Sequence, residues 1–403
     1  MRREKFSTFF EVSPIDMNGY LGEATQTYEN GDGSVLRSYT GKTKTEFYNV
    51  CAILEGKGYT LYSRSEKNGS LFATYTKGNE LFHLYWTADD QRLNVVTSDT
   101  AAAALPEKDP VTTGNKTTTI TQLNLPLTTQ NIYSNGMGYV IRLADGSFLV
   151  YDGGYAEQAD QLYRTLVAQN GSADGIVIRA WLITHAHSDH FSCLKEFSTR
   201  YADAVTVETF LIAALNASDV GGNKFLHTEF PGIAARFAGA KVCTVHTGMT
   251  FRFCNLTMEI LFAPDSLYIN GVSSDFNNSG IVSRLFNEED SILFLGDVMN
   301  DVTSRLVSIY GETLQTRQCQ VAHHGVGNSP VEFYEYLKAT TLWYPCGHKL
   351  YDWTSVFADN VRRNGSVRKA LDESGKYEIL LHDEFAYQRI WGSADAATPF
   401  SLT

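Results

Sequence analysis

The chain has 403 residues, of which 43% are hydrophobic, 19% charged and 12% aromatic; that is too long for one ordinary core and predicts two domains. No run approaches about 18 consecutive apolar residues, so no segment is expected to span a membrane. The net charge of −12 falls as −2 on residues 1–117 and −10 on residues 118–403, which argues against an extended nucleic-acid surface, because such affinity rests on Lys and Arg neutralising phosphates.

Met1-Arg2-Arg3-Glu4-Lys5 is not followed by an apolar stretch, so no signal peptide is read. Localisation stays open: cytoplasmic on the sequence as it stands, secreted if a leader has been trimmed. Cys51, Cys193, Cys243, Cys254, Cys319 and Cys346 form no CxxC pair and are expected to be buried free thiols.

Residues 1–97 read as a small α+β domain. Phe47, Val50, Cys51 and Leu54 give Thr43–Gly56 one apolar helical face. Strands are expected at Tyr59–Ser63, Ser70–Thr76, Leu81–Thr87 and Arg92–Thr97, punctuated by Lys67-Asn68-Gly69, Lys77-Gly78-Asn79 and Asp89-Asp90. No chemistry is visible there; its one histidine, His83, lies inside a strand. Residues 98–119, rich in Ala, Thr and Pro, read as a linker.

Residues 120–403 form the second expected domain. Tyr139–Leu143 and Phe148–Tyr151 flank the turn Ala144-Asp145-Gly146. Ile176–Thr184 is apolar enough to be a strand buried on both faces. Further strands are expected at Thr206–Ala213, Lys241–Thr244, Thr257–Phe262, Ile281–Phe286, Ser291–Leu295, Cys319–Val321 and Thr341–Tyr344. Helices are expected at Asp160–Ala168, Glu229–Ala238, Val302–Tyr310, Pro330–Lys338 and Thr354–Asn364. Interleaved strands and helices make this an α/β layered domain.

Nine of the ten histidines follow residue 118. His185, His187 and His190 stand with Asp189 directly after the buried strand. Residues i and i+2 at a strand end point the same way, so His185 and His187 can grip one cation while Asp189 and His190 grip a second. Imidazole and carboxylate suit Zn²⁺ first, with Mn²⁺ or Fe²⁺ as alternatives.

Thr184-His185-Ala186-His187-Ser188-Asp189-His190 carries the HxHxDH signature, and through it the chain resembles the metallo-β-lactamase superfamily. Phe148-Leu149-Val150-Tyr151-Asp152 is similar to that family's early strand, whose aspartate orients a metal-bound histidine. Phe294-Leu295-Gly296-Asp297 resembles the strand ending in the carboxylate shared by both metals. Gln320-Val321-Ala322-His323-His324-Gly325 resembles the strand ending in the last histidine ligand. The spelling of the later motifs, with Asn277-Asn278-Ser279, is similar to the hydrolase domain of ComEC-type competence proteins and related soluble phosphoesterases. Val326 departs from that family's usual serine. The superfamily's third histidine for the first metal has no obvious equivalent, and His227 and His246 are the spare histidines in that interval.

The resemblance implies an αββα sandwich and a site with two divalent cations. His185, His187 and Asp297 would hold one. Asp189, His190, Asp297 and either His323 or His324 would hold the other. Asp152, Asn277, Asn278 and Tyr344 would line or support the site. Asp189 would also orient the nucleophile, a hydroxide shared by the metals. His348, with His382 and Lys349 behind it, is a candidate substrate contact or proton donor. The expected reaction is hydrolysis of a small phosphodiester or phosphoester. Hydrolysis of a lactone, thioester or β-lactam on the same core is the alternative, and a non-catalytic metal-binding module is a third reading.

Overall fold

The computed structural model describes residues 17–110, 118–129, 131–213, 228–265, 276–326, 329–351, 371–382 and 385–402. His227 and the helix expected at Thr354–Asn364 lie outside the described residues.

The N-terminal part is a six-stranded sheet, antiparallel throughout. Its order is Gln26–Glu29, Val35–Tyr39, Arg92–Ser98, Glu80–Thr87, Ser70–Lys77, Thr60–Lys67. The four expected strands are present, and two further strands before the helix extend the sheet. Helix Lys44–Gly56 starts at a capping box, in which Thr43 N–H donates to Glu46 Oε2 at 2.7 Å. Its Phe47, Val50, Cys51 and Leu54 are buried with Tyr75, Leu84 and Val95 on one sheet face.

The other face of this sheet is covered too. Leu36, Phe72, Tyr85 and Val96 share a core with Leu261, Phe262 and Tyr310 of the second part. Phe72 stacks on Tyr310 with ring centroids 5.8 Å apart. Because successive strand residues face opposite ways, burying both sets explains why Ser70–Tyr75 is buried at every position.

The second part holds two sheets. In the nine-stranded one, Lys241–Val245, Thr209–Ala213, Val177–Leu182 and Phe148–Asp152 run parallel in that order. Gly138–Arg142, Thr119–Gln122, Ala386–Ile390 and Thr398–Phe400 continue it antiparallel. The strand expected over Thr206–Ala213 is broken at Glu208, and both pieces pair with Val177–Leu182. The seven-stranded sheet runs Thr250–Phe253, Leu256–Phe262, Val282–Phe286, Ser291–Phe294, Gln318–Gln320, Thr341–Trp343, Glu378–Leu380.

Tyr139, Tyr151, Phe294 and Trp343 fill the space between the sheets; the Tyr151 and Phe294 rings stack at 4.0 Å. Helices Ala159–Asn170 and Ser188–Arg200 cover the outer face of the first sheet through Leu162, Leu166, Leu194 and Phe197. Asn300–Tyr310 and Val331–Leu337 cover the second sheet through Leu306, Phe333 and Leu337. The layers are therefore helix, sheet, sheet, helix, as expected. The helix expected at Glu229–Ala238 is the shorter Phe230–Ala234. All six cysteines are buried. Among the described residues no helix is long and apolar enough to cross a membrane.

Candidate metal centre

Asp152, the last residue of Phe148–Asp152, has a left-handed backbone with φ of 50° and is wholly buried. Its carboxylate takes three donors. Oδ1 accepts the N–H of Thr184 at 2.7 Å, and Oδ2 accepts the Thr184 hydroxyl at 2.7 Å and Nδ1 of His190 at 2.8 Å. The next two glycines let helix Ser188–Arg200 come close. A Cβ on Gly153 would stand 2.8 Å from Cβ of Cys193, and Cys193 N–H donates to the Gly154 carbonyl at 2.9 Å.

That helix begins immediately after His187, so Asp189 and His190 sit in its first turn. His185 and His187 precede it on the loop from strand Val177–Leu182. Nε2 of His185 is 2.9 Å from Nδ1 of His187 and 3.6 Å from Oδ2 of Asp297.

Asp297 follows strand Ser291–Phe294 through a loop clamped by Gln320. Oε1 of Gln320 accepts the N–H groups of Leu295 and Gly296, each at 2.8 Å, and its Nε2 donates to the Gly296 carbonyl at 3.0 Å. Asn278 Oδ1 accepts the Met299 N–H at 2.8 Å on the far side of Asp297. Oδ2 of Asp297 lies 3.2 Å from Nε2 of His190 and 3.3 Å from Nε2 of His324. Its Oδ1 is buried without a hydrogen-bond partner.

The backbone sets the two adjacent histidines in different surroundings. His323 and His324 both adopt left-handed conformations, with φ of 49° and 54°, which is costly for non-glycine residues and needs support. That support comes from His323 N–H donating to the Gly296 carbonyl at 3.0 Å and Val326 N–H to the His323 carbonyl at 2.7 Å. His324 is buried, its Nδ1 donates to the Pro345 carbonyl at 2.8 Å, and its Nε2 is 3.0 Å from Oδ2 of Asp189.

Two sets of donors result. His185, His187 and Asp297 form one, and Asp189, His190 and His324 the other; within each, the donor atoms lie within 4.8 Å of one another. Asp297 faces both. A buried carboxylate oxygen with no partner, converging imidazole nitrogens and a second carboxylate fit a pair of divalent cations. His323 is half-buried and belongs to neither set.

The charges agree. Burial opposes ionisation of Asp297, but His190 and His324 hold its carboxyl well below the usual range. Burial likewise opposes the charge on His324, yet Asp297 and Asp189 raise it to about 10. Burial first, and then His190, drives His185 well down. Burial opposes the charge on His190 too, and Asp297 and Asp152 raise it well above its ordinary value.

The remaining candidates divide. Asn278 braces the loop after Asp297, and Asn277 sits half-buried on the same turn. Tyr344 is wholly buried in the second sheet's core, its ring 5.4 Å from Tyr351. His348 is exposed at the start of the short helix His348–Tyr351, outside both donor sets, and Lys349 donates to the Ile132 carbonyl at 2.7 Å. His382 is buried, its Nε2 3.2 Å from the Gly136 carbonyl, and burial lowers its pKa to about 4. His246 packs 6.0 Å from His83 under the N-terminal sheet, away from the donor sets. A cavity of about 650 Å³ at that junction, lined by Asp32, Ala101, Ile212, Phe230 and Thr244, includes none of the donor residues.

Sequence reasoning passed over Thr184, Gln320, Asn135 and Tyr155. Asn135 Nδ2 donates to Oδ2 of Asp189, and the Tyr155 hydroxyl donates to Asn135 Oδ1 at 3.2 Å. The available signal was position: Thr184 opens the HxHxDH segment, Gln320 ends a strand feeding His324, and Tyr155 follows Asp152-Gly153-Gly154.

Comparison with known proteins agrees with the geometry. Residues 134–325 match the metallo-beta-lactamase superfamily, and the chain carries a domain of that superfamily. Among solved structures it is similar to the metallo-beta-lactamase fold protein YhfI from Bacillus subtilis, at 13% identity and a TM-score of 0.42, covering 68% of this chain and 99% of that one. It is similar to CmlA, a diiron beta-hydroxylase from Streptomyces venezuelae, at 13% identity and a TM-score of 0.41, covering 73% of this chain and 55% of that one. It is also similar to Zn(2+)-bound PqqB from Methylobacterium extorquens, at 10% identity and a TM-score of 0.37, covering 66% of this chain and 99% of that one. No curated protein matches the chain.

Proposed function

We propose that this chain is a metal-dependent hydrolase of a small phosphodiester or phosphoester. The observation that carries the reading is the convergence of two three-residue donor sets on Asp297, with its buried, unpartnered Oδ1. In this reading His185, His187 and Asp297 hold one divalent cation, and Asp189, His190, His324 and Asp297 hold the other, Zn²⁺ being the first candidate. Such cations, when bound, lower the pKa of a water and stabilise negative charge on the attacked group.

The chain's own residues do the rest. Asp152 fixes the His190 ring so that Nε2 faces the centre. The Pro345 carbonyl does the same for His324. Gln320 and Asn278 hold the loop on either side of Asp297. Asp189 orients the attacking water. His348, exposed beside the loop that carries Asn135, is the candidate donor of a proton to the leaving group.

The preference for phosphorus rests on the spelling Asn277-Asn278-Ser279, Gly296-Asp297 and His323-His324-Gly325, which is similar to ComEC-type hydrolase domains. A panel tests it after metal analysis of the purified protein. Bis-p-nitrophenyl phosphate and p-nitrophenyl phosphorylcholine are set against a lactone and a cephalosporin, with Zn²⁺ or Mn²⁺ added. Turnover of the phosphoesters alone is expected. Turnover of only the lactone or cephalosporin overturns the substrate class, and failure to take up metal overturns the hydrolase reading in favour of an interaction module.

A further inference from the structure

Asp189 has a second side-chain partner besides His324. Oδ2, which stands 3.0 Å from Nε2 of His324, is also the oxygen that receives Nδ2 of Asn135. Asn135 is itself fixed. Asn131, wholly buried, donates from Nδ2 to the Asn135 carbonyl at 2.9 Å and to the Leu125 carbonyl at 3.0 Å, while its Oδ1 accepts the Asn135 N–H at 2.9 Å. Gly347 N–H donates to the Ser134 carbonyl at 2.7 Å, and Met137 N–H to the Asp189 carbonyl at 3.0 Å. Between them, Gly136 has φ of 124°, and a Cβ there would stand 3.0 Å from the Asp189 carbonyl oxygen. Residues 131–137 are thus tied to both the chain before them and the helix that carries Asp189.

The orientation of the Asn135 amide decides its effect. With Nδ2 toward Asp189 it offers a donor to a carboxylate. Turned over, it would press an oxygen against another oxygen. The acceptor-only Asp189 carboxylate selects the first orientation, and the Tyr155 hydroxyl, donating to Oδ1 at 3.2 Å, holds the amide in it.

We propose that Asn135 and Tyr155 are positioning residues for the second cation: Asn135 holds the Asp189 carboxylate with Oδ2 toward His324, and Tyr155 holds Asn135. The proposal rests on the reading of Asp189 and His324 as ligands. Partners of this kind around a metal ligand govern affinity as well as orientation. Neither residue is expected to touch substrate.

The test is a Zn²⁺ titration of metal-depleted protein in competition with a chromogenic chelator, which reads two affinities separately. Asn135→Ala is expected to weaken one equivalent roughly 10- to 100-fold and to leave the other near its wild-type value. Tyr155→Phe should weaken the same equivalent by a smaller factor. Combined, the two substitutions should be no worse than Asn135→Ala alone, because Tyr155 acts through Asn135. Equal weakening of both equivalents, together with a lower melting temperature of the metal-free protein, would mean a merely structural role and overturns the proposal. So does an unchanged affinity in Asn135→Ala, or an additive loss in the double variant. Asn135→Ser carries the same test where the alanine variant does not fold. If wild-type protein takes up no transition metal, it is the hydrolase reading that fails, which is a distinguishable result.

Discussion

Nδ1 of His190 donates to Oδ2 of Asp152 at 2.8 Å, and this one bond decides which ring nitrogen of His190 faces Asp297. The same carboxylate holds the backbone and hydroxyl of Thr184, the residue just before His185. Asp152 therefore governs both donor sets without belonging to either.

Asp152→Asn keeps the size and removes the charge. Its Nδ2 would face a donor, either the Thr184 N–H or else His190 Nδ1 beside the Thr184 hydroxyl, and a buried N–H would be left unpaired. Metal affinity is expected to fall roughly 10- to 100-fold, with a loss of about 1–3 kcal/mol in stability for the unpaired group. Metal titration and urea unfolding of the depleted protein check the two effects; wild-type affinity would show that Asp152 does not orient the ligand.

Asp297→Asn removes the one carboxylate that reaches both donor sets. The expected outcome is loss of bound metal and of nearly all hydrolysis. Because a ligand that binds only the folded state stabilises it by mass action, wild type should melt lower after chelation and recover on Zn²⁺ addition. The substituted protein should show almost no difference between the two conditions. Full metal occupancy with full activity in that variant would refute a shared carboxylate.

How much of this was legible in the sequence follows from how local each signal is. His185, His187, Asp189 and His190 lie within six positions, so strand periodicity alone brings them together. Asp297 and the pair His323-His324 come from distant strands and were picked out by motif likeness, because each follows an apolar run. That His324 is the one facing Asp189 and Asp297 was not legible, since it depends on two consecutive left-handed residues and on the Pro345 carbonyl. Asn135 and Tyr155 escaped because neither is a metal-ligand type and their loops meet only in the folded chain. In the N-terminal part, Gln26–Glu29 and Val35–Tyr39 were missed: both are short, and four-residue Gln26–Glu29 has no buried alternation to betray it. The burial of that sheet's second face was also invisible, because the partner surface lies some 200 residues away at Leu261 and Tyr310.

Acid should loosen the junction between that sheet and the rest. His83 is wholly buried; its Nε2 donates to the Thr247 carbonyl at 2.9 Å and its Nδ1 accepts the Thr74 hydroxyl at 2.9 Å. Burial first, and then His246, pushes its pKa down to about 3 from 6.5. The folded value is the lower one, so the stability is fully present above pH 6.5 and is lost as pH falls toward 3. The slope from this residue is at most about 1.4 kcal/mol per pH unit. His246 is pushed down as well by its burial, and the Asp32 carboxyl beside it is held below its usual range, against its own burial, by His246. Urea unfolding between pH 6.5 and about 5.5, above the ordinary carboxylate range, reads mainly histidines. His83→Gln should flatten the profile relative to wild type, and an identical slope would exclude His83 as a source.

The same junction sets a steric limit at Gly248. Its φ is 93°, and a Cβ built there would lie 1.9 Å from Cδ1 of Phe72, the ring that stacks on Tyr310. The neighbour is the inner part of a buried aromatic ring, not the end of a flexible chain, so it has little room to move. Gly248→Ala should cost about 1 kcal/mol for the backbone conformation and about 1–3 kcal/mol for overpacking. Phe72 and Gly248 belong to neither donor set, so Zn²⁺ affinity should stay at the wild-type value while stability falls. Adding Phe72→Leu removes the clashing ring atoms and should restore part of the loss, although Phe72→Leu alone destabilises by leaving a cavity. Sub-additive destabilisation in the double variant, read by urea unfolding, is the expected sign that the two residues meet. Simple additivity would mean that the N-terminal sheet does not dock through Phe72 on Gly248.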